Sequence, residues 1–173
     1  MAFSLRRGRQ RPLWSYHPVL EALELRCVPT RFTELGLPNS PWGITYAWDD
    51  GHIWFTEPNG GNKVGRVNDN GSITEWVLPT QFADPLGICQ ASRVEIWFTE
   101  SHANQVGIIA AGTNFIQEIP VPTPSSYPSG ITSDWYSRVF FTETQGNKIG
   151  WVRWYGGEYD ISEWDIPTES SDL

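Results

Sequence analysis

Three glutamates stand 43 residues apart, each closing the same kind of run: Ile53-Trp54-Phe55-Thr56-Glu57, Ile96-Trp97-Phe98-Thr99-Glu100 and Val139-Phe140-Phe141-Thr142-Glu143. Carboxylates are the ligands that hard divalent cations prefer, so a metal ring is one reading. The other is structural. One site has no use for three equivalent acids, and a Thr-Glu that ends the same strand in every copy can pair with local backbone or a neighbouring copy. Bases are few. His17, His52 and His102 are the histidines, and histidine is the side chain that titrates near neutral pH. His102 follows Glu100 by two residues and is a candidate base, although its place reads as an exposed loop tip. His52, in Asp50-Gly51-His52, reads as a turn residue, and His17 lies in the N-terminal arm. Of the two thiols, Cys27 and Cys89, the second falls on a strand expected to be buried, which makes an inert core thiol. Gly-x-Ser-x-Gly turns and phosphate loops are absent from the sequence. Gly60-Gly61 and Gly156-Gly157 read as hairpin glycines. Trp135, Trp151 and Trp154 offer rings on which sugars stack, with core packing competing at Trp151 and Trp154.

The elements that position these residues follow from repetition. Ahead of each Thr-Glu run lies Pro-x-Gly-Ile: Pro41-Trp42-Gly43-Ile44, Pro85-Leu86-Gly87-Ile88 and Pro128-Ser129-Gly130-Ile131. Behind it lies Asn62-Lys63-Val64-Gly65, Asn104-Gln105-Val106-Gly107 or Asn147-Lys148-Ile149-Gly150. An alternating run into proline closes each copy: Ile73 to Pro79, Phe115 to Pro120, Ile161 to Pro167. A fourth closing run, Phe32-Thr33-Glu34-Leu35-Gly36-Leu37-Pro38, stands alone before the first copy. Each copy therefore predicts four short strands separated by Gly, Asn, Asp and Pro. Four strands in about 43 residues is the period of a propeller blade. The expectation is an all-β partial β-propeller: three four-stranded blades over about 41–80, 84–123 and 127–168, plus one extra outer strand. The Gly-Ile strand lines the axis, where small residues let blades converge. The aromatic strand is buried between blades, and the closing run is the outer, partly solvated strand.

Composition agrees. The chain has 173 residues, with 16 Gly, 13 Pro and 10 Trp against one Met, which favours strands and turns over helices. A net charge of −8 leaves no broad basic surface to neutralise phosphates, which argues against nucleic acid as partner. Two cysteines are too few for a disulfide-dense scaffold or a four-thiolate zinc site. No apolar run approaches the roughly 20 residues of a membrane helix. Charge is uneven, however. Residues 1–30 carry five arginines and two glutamates, a net of +3, leaving −11 for the rest. That start reads as a basic arm or leader without fixed structure, followed by repeats over 31–169 and a short tail over 170–173. It lacks the continuous apolar stretch of a secretory signal peptide. The string Leu20-Glu21-Ala22-Leu23-Glu24-Leu25-Arg26-Cys27-Val28-Pro29-Thr30 nevertheless resembles a short leader found on exported proteins of planctomycete-type bacteria. Export or a cell-surface location is the expectation it implies.

Three blades do not close a ring, since closed propellers begin at about four blades. Open ends leave aromatic strand faces uncovered, which invites self-association. The count of residues from Thr168 places the next copy's proline at position 173, where Leu173 ends the sequence. Two expectations follow: part of a longer propeller, which the linking segment fits better, or copies that complete a ring together.

The whole string, from Pro-x-Gly-Ile through Ile-Trp-Phe-Thr-Glu and Asn-Lys-Val-Gly to Ile-Thr-Glu-Trp, resembles the repeat of virginiamycin B lyases over about residues 31–169. The resemblance implies a scaffold whose full form is a seven-bladed propeller. It also implies a bacterial, antibiotic-opening chemistry: elimination across the ester of a cyclic streptogramin, without water. A histidine removes the proton, and magnesium near two glutamates steadies the developing charge. Such a division suits the two groups, one titrating near working pH and the other a Lewis acid. The family's motif is Glu-Pro-His-Gly-Ile-Cys, with the second acid fourteen residues after the histidine. The second copy matches it as Asp84-Pro85-Leu86-Gly87-Ile88-Cys89, with Glu100 fourteen residues after Leu86. By that match Asp84 and Glu100 become the magnesium candidates. Leu86 stands where the base belongs, and Trp42 where a substrate-contacting histidine belongs one blade earlier. The third copy offers Tyr127 and Ser129. Trp42, Leu86 and Ser129 are thus the substrate-facing candidates, and no catalytic residue is assigned, because leucine cannot take a proton.

Two function classes remain: a non-catalytic binding or structural propeller segment, and a magnesium-dependent carbon–oxygen lyase active only with further blades or on assembly.

Overall fold

The computed structural model describes residues 34–37, 39–92, 95–110 and 113–167. The basic arm, the leader-like string, His17 and Cys27 lie outside the described residues. Twelve strands follow one another without a helix among the described residues, so none has a helix long and apolar enough to cross a membrane. The first blade is β1 (Ile44–Ala47), β2 (His52–Glu57), β3 (Lys63–Val67) and β4 (Ile73–Val77). The second is β5 (Pro85–Gln90), β6 (Glu95–Glu100), β7 (Gln105–Ala110) and β8 (Ile116–Pro120). The third is β9 (Pro128–Ser133), β10 (Val139–Glu143), β11 (Lys148–Tyr155) and β12 (Glu158–Asp165). Each blade is one antiparallel sheet in chain order, the pattern of a partial β-propeller.

Local chemistry explains each element. Trp, Phe, Ile and Thr suit a pleated, half-buried surface, and they fill the second strands. Asn62, Asn104 and Asn147 open the third strands in the left-handed region, with φ of 48°, 57° and 51°. Asparagine tolerates that conformation better than other non-glycine residues. It also works as a clamp. Asn62 Nδ2 donates to the Thr80 carbonyl at 2.9 Å while its Oδ1 accepts from Ala83 N at 2.8 Å, and Asn104 holds Thr123 and Ser126 in the same way. Gly156 and Gly157 form the two-residue turn between β11 and β12, both at positive φ (64° and 95°), which only the mirror-type hairpin turn demands.

The core sits between blades. Trp54, Val64 and Trp76 of the first blade pack on Ile88, Ile96, Phe98 and Ile109 of the second. Trp97, Val106, Ile108 and Ile119 then pack on Val139, Phe141, Val152 and Ile161 of the third. Each such side chain, fully buried, contributes about 1.5–3 kcal/mol. The threonine of the repeat locks the stack. Gly43 N donates to Thr56 Oγ1 at 2.9 Å, and that hydroxyl donates to the Leu86 carbonyl of the next blade at 2.8 Å. Thr99 repeats both contacts with Gly87 and Ser129. A Cβ on Gly43 would meet the Leu86 carbonyl oxygen at 2.3 Å, and one on Gly87 would meet that of Ser129 at 2.3 Å. Close approach therefore explains the glycine of Pro-x-Gly-Ile.

The extra outer strand differs from expectation. Residues 34–37 form no strand; Phe32, Thr33 and Pro38 lie outside the described residues. Leu35 and Leu37 still line the same cavity as Ile53, Phe55 and Val67. A strand needs a ladder partner, and no third strand lies beside this segment in the three sheets.

Candidate functional site

The proline ends of the axial strands carry the matched positions. Trp42, Leu86 and Ser129 are equivalent places in successive blades. Trp42 is 69 % exposed, whereas Leu86 and Ser129 are half-buried. The backbone of the last two is committed to blade stacking, because the Leu86 and Ser129 carbonyls accept the threonine hydroxyls. Asp84 and Tyr127 each precede the proline of their blade, both with φ of 56°. Strained non-glycine backbone of this kind persists only where its surroundings hold it.

Asp84 turns toward a residue that the repeat pattern treats as a bystander. Its Oδ2 lies 3.6 Å from His102 Nδ1, and Tyr127 Oη lies 3.5 Å from His102 Nε2. The His102 and Tyr127 rings meet edge to face at 5.5 Å. Burial first, then the Asp84 carboxylate, pushes the Tyr127 hydroxyl above its ordinary range. His102 is 61 % exposed, as a loop residue should be, yet it has a carboxylate and a phenol beside its two nitrogens. The only hint in the sequence was proximity to Glu100, because the Asp84–His102–Tyr127 grouping crosses two blades.

Glu100 goes elsewhere. The backbones of the two acids are neighbours, since Pro85 pairs with Glu100 and Ser101 N donates to the Asp84 carbonyl at 3.1 Å. The Glu100 side chain, however, is wholly buried, and its Oε1 would lie 2.9 Å from a Cβ on Gly107 of β7. Both its oxygens lack a hydrogen-bond partner. Burial, then the charge of Glu118, pushes its pKa up to about 8. Glu57 and Glu143 are equally buried and also raised, with burial the main cause. The expectation that these acids pair with backbone or a neighbouring blade is therefore not met by Glu100. Glu57 takes a bond from Asn39 Nδ2 at 3.2 Å, and a side-chain hydrogen bond from Ser126 holds the Glu143 carboxyl down against its burial. Their cross-strand partners differ: Lys63 opposite Glu57, Lys148 opposite Glu143, but Gln105 opposite Glu100. Lys63 and Lys148 pull their glutamates back down, and nothing cationic among the described residues does so for Glu100.

This arrangement does not fit magnesium. A magnesium ion keeps several waters and near-octahedral geometry. The Glu100 oxygens have no solvent access, and Asp84 faces His102 and Tyr127. No group of three or more His, Cys, Asp or Glu able to hold a metal occurs among the described residues. The three repeat glutamates sit in separate blade interiors, so they form no ring.

Other candidates resolve more simply. Cys89 is buried on β5, and burial pushes its thiol up to about 12, which suppresses the thiolate. His52 is not a turn residue. It begins β2, with Nδ1 3.4 Å from Asp50 and Nε2 3.5 Å from Asp69, because the turn ends at Gly51. Glu118 and Glu163, which the sequence reading passed over, bind the preceding linker: Thr80 N and Oγ1 donate to Glu118 at 2.9 and 2.8 Å, and Thr123 does the same to Glu163. Their signal was the recurring acid in the closing run.

The outer face of the third blade is uncovered. Phe140, Trp151 and Trp164 stack there, the two indoles 5.5 Å apart and 7° from parallel. Trp151 Nε1 is buried without a partner. Thr142 Oγ1 accepts from Gly130 N at 3.0 Å like its counterparts, but no next-blade carbonyl meets it, and a Cβ on Gly130 would meet only Thr142.

Comparison with known proteins places this geometry. Residues 7–172 match the model of the virginiamycin B lyase family. A virginiamycin B lyase from Staphylococcus aureus is 36 % identical with a TM-score of 0.69, over 77 % of this chain and 43 % of that one. The catalytically inactive histidine-to-alanine form of the Staphylococcus aureus enzyme, solved with quinupristin, is 36 % identical with a TM-score of 0.72, over 80 % and 46 %. A streptogramin B lyase is 39 % identical with the same TM-score and the same coverage. The chain thus spans less than half the length of these structures. A search of the curated proteins finds no match.

Proposed function

The chain belongs to the virginiamycin B lyase family, and from that premise we propose that it is a non-catalytic binding or structural module of a bacterial protein. It is a streptogramin-lyase-like β-propeller segment of three blades. The observation that carries the reading is Leu86. In the family's motif that place holds the base, and an alkyl side chain cannot accept a proton. Two further observations support it. Asp84 faces His102 and Tyr127, and Glu100 is sealed in a blade interior at a pKa of about 8, protonated at neutral pH. The rival is a magnesium-dependent lyase completed by further blades. Quinupristin and magnesium decide between them, with ring opening followed by chromatography. We expect no turnover by the chain as it stands. Turnover that Glu100→Ala abolishes would overturn the proposal.

The uncovered third blade supports self-association with a second copy, whose first-blade face carries Ile53 and Phe55 in the positions that Ile96 and Phe98 use inside the molecule. The net charge of −8 supports a partner other than nucleic acid. Light scattering after size exclusion checks the association. A dimer that Trp164→Glu disperses is expected, and a monomer at high concentration would overturn it.

A further inference from the structure

At the other end of the axial strands lies a groove of about 740 Å³, within the usual range of small-molecule sites. Its walls are Trp48 and Trp135, the same position of the repeat, four residues past Ile44 and Ile131. In the second blade that position, four past Ile88, is Ser92, which leaves a low floor between two indoles. Trp48 is 59 % exposed and Trp135 fully so, and neither belongs to the two cores between the blades. Packing therefore does not account for them. A pair of bare indoles across a cleft is a costly surface unless something covers it.

The groove is built in advance. Trp48 N donates to Gln90 Oε1 at 2.7 Å, Gln90 Nε2 donates to the Ser92 carbonyl at 3.0 Å, and Ser133 Oγ donates to the Gln90 carbonyl at 2.6 Å. One glutamine thus ties all three blades at the cleft and fixes its width. Asp134 is the acid of the lining, and Arg138 neutralises it through bonds of 2.6 and 2.5 Å. Among the described residues the result is two aromatic walls around serine hydroxyls and one paired carboxylate.

That combination selects a ligand class. A cation is drawn by indole faces, but Arg138 on Asp134 brings a positive charge to this edge of the groove and disfavours a second one. A phosphate-bearing ligand meets a chain of charge −8. A wholly apolar ligand would take water from the Asp134 carboxylate and the Ser92 hydroxyl of the lining. A neutral pyranose offers apolar C–H faces to the indoles and a hydroxyl edge to the polar rim. We propose that this groove binds a neutral oligosaccharide, a pyranose ring lying between Trp48 and Trp135 with its hydroxyls toward Ser92, Ser133 and Asp134. The proposal is independent of any chemistry at the proline end.

The test is isothermal titration of the full chain with cellohexaose and with maltohexaose, β- and α-linked neutral glucose oligomers. At least one binds, with a Kd in the range of about 10 μM to 5 mM. Trp135→Ala weakens it at least about tenfold and Trp135→Phe by no more than about threefold, since a ring still stacks. Ser92→Trp fills the floor and abolishes binding, with circular dichroism confirming that the fold is kept. Absence of binding by both oligomers up to about 10 mM, or unchanged binding by Trp135→Ala, overturns the proposal.

Discussion

The second and third blades share a repeat, yet they live in different surroundings. Blade two is covered on both faces: Phe98 and Ile96 against the first blade, Trp97 and Ile108 against the third. Blade three is covered on one. Phe141 and Val139 are buried, while Phe140 is half-buried and Trp164 is 47 % exposed. The same threonine reaches the next blade's carbonyl in blade two, and in blade three pairs only within its own blade, with Gly130 N and Ser129 Oγ. The same glutamate faces Gln105 in one and Lys148 in the other. A repeat sets which atoms are offered; the neighbouring blade and the cross-strand partner set what they do.

The largest break in this comparison comes from the aromatic strand. Phe98→Ala opens a cavity under two blades and costs about 3–5 kcal/mol in urea unfolding, whereas Phe140→Ala, on the open face, costs about 1 kcal/mol or less. Equal losses would show that the third blade's face is covered in solution.

Protonation comes next. Glu100 has a folded pKa near 8 against an ordinary value of 4.5. Its burial is tolerated in full below pH 4.5, where both states hold the proton. Stability then falls as pH rises through about 8, because the folded state resists losing it. Glu100→Gln removes its share of that slope, leaving that of Glu57 and Glu143, and stabilises the chain at pH 9 by on the order of a few kcal/mol. Gln105→Lys, which copies the other two blades, lowers the Glu100 pKa and recovers about 1 kcal/mol at pH 8. Unfolding at pH 5, 7 and 9 measures both, and a flat profile for the unaltered chain would refute the account.

The smallest effect separates the threonines. Thr99→Val loses the bonds to Gly87 N and the Ser129 carbonyl and costs about 1–2 kcal/mol; Thr142→Val loses those with Gly130 N and Ser129 Oγ on an exposed face, where water replaces them, and costs about 0.5 kcal/mol. Paired urea melts check the ratio.

Much of the fold was legible in residues alone. Ile-Trp-Phe-Thr-Glu, Pro-x-Gly-Ile and Asn-x-Val-Gly recur at one spacing, so period-2 alternation and turn residues placed the second, first and third strands of every blade. The absence of a histidine at Leu86 was equally plain. The candidate site was less so. Asp84 and Glu100 matched a two-acid pattern along the chain, but a pattern does not say where side chains point. His102 read as a loop tip because nothing local showed Asp84 and Tyr127 converging on it from two blades.

The division has a physical cause. Strand, turn and repeat depend on contacts within a few residues, which sequence spacing records directly, and so the sequence determined an all-β stack of like blades. Burial, pairing and charge balance depend on residues about 20 to 45 positions apart being brought together. Only the tertiary structure decided that both Glu100 oxygens are sealed without a hydrogen-bond partner, that Gln90 ties three blades at a cleft, and that Trp48 and Trp135 face water rather than the core.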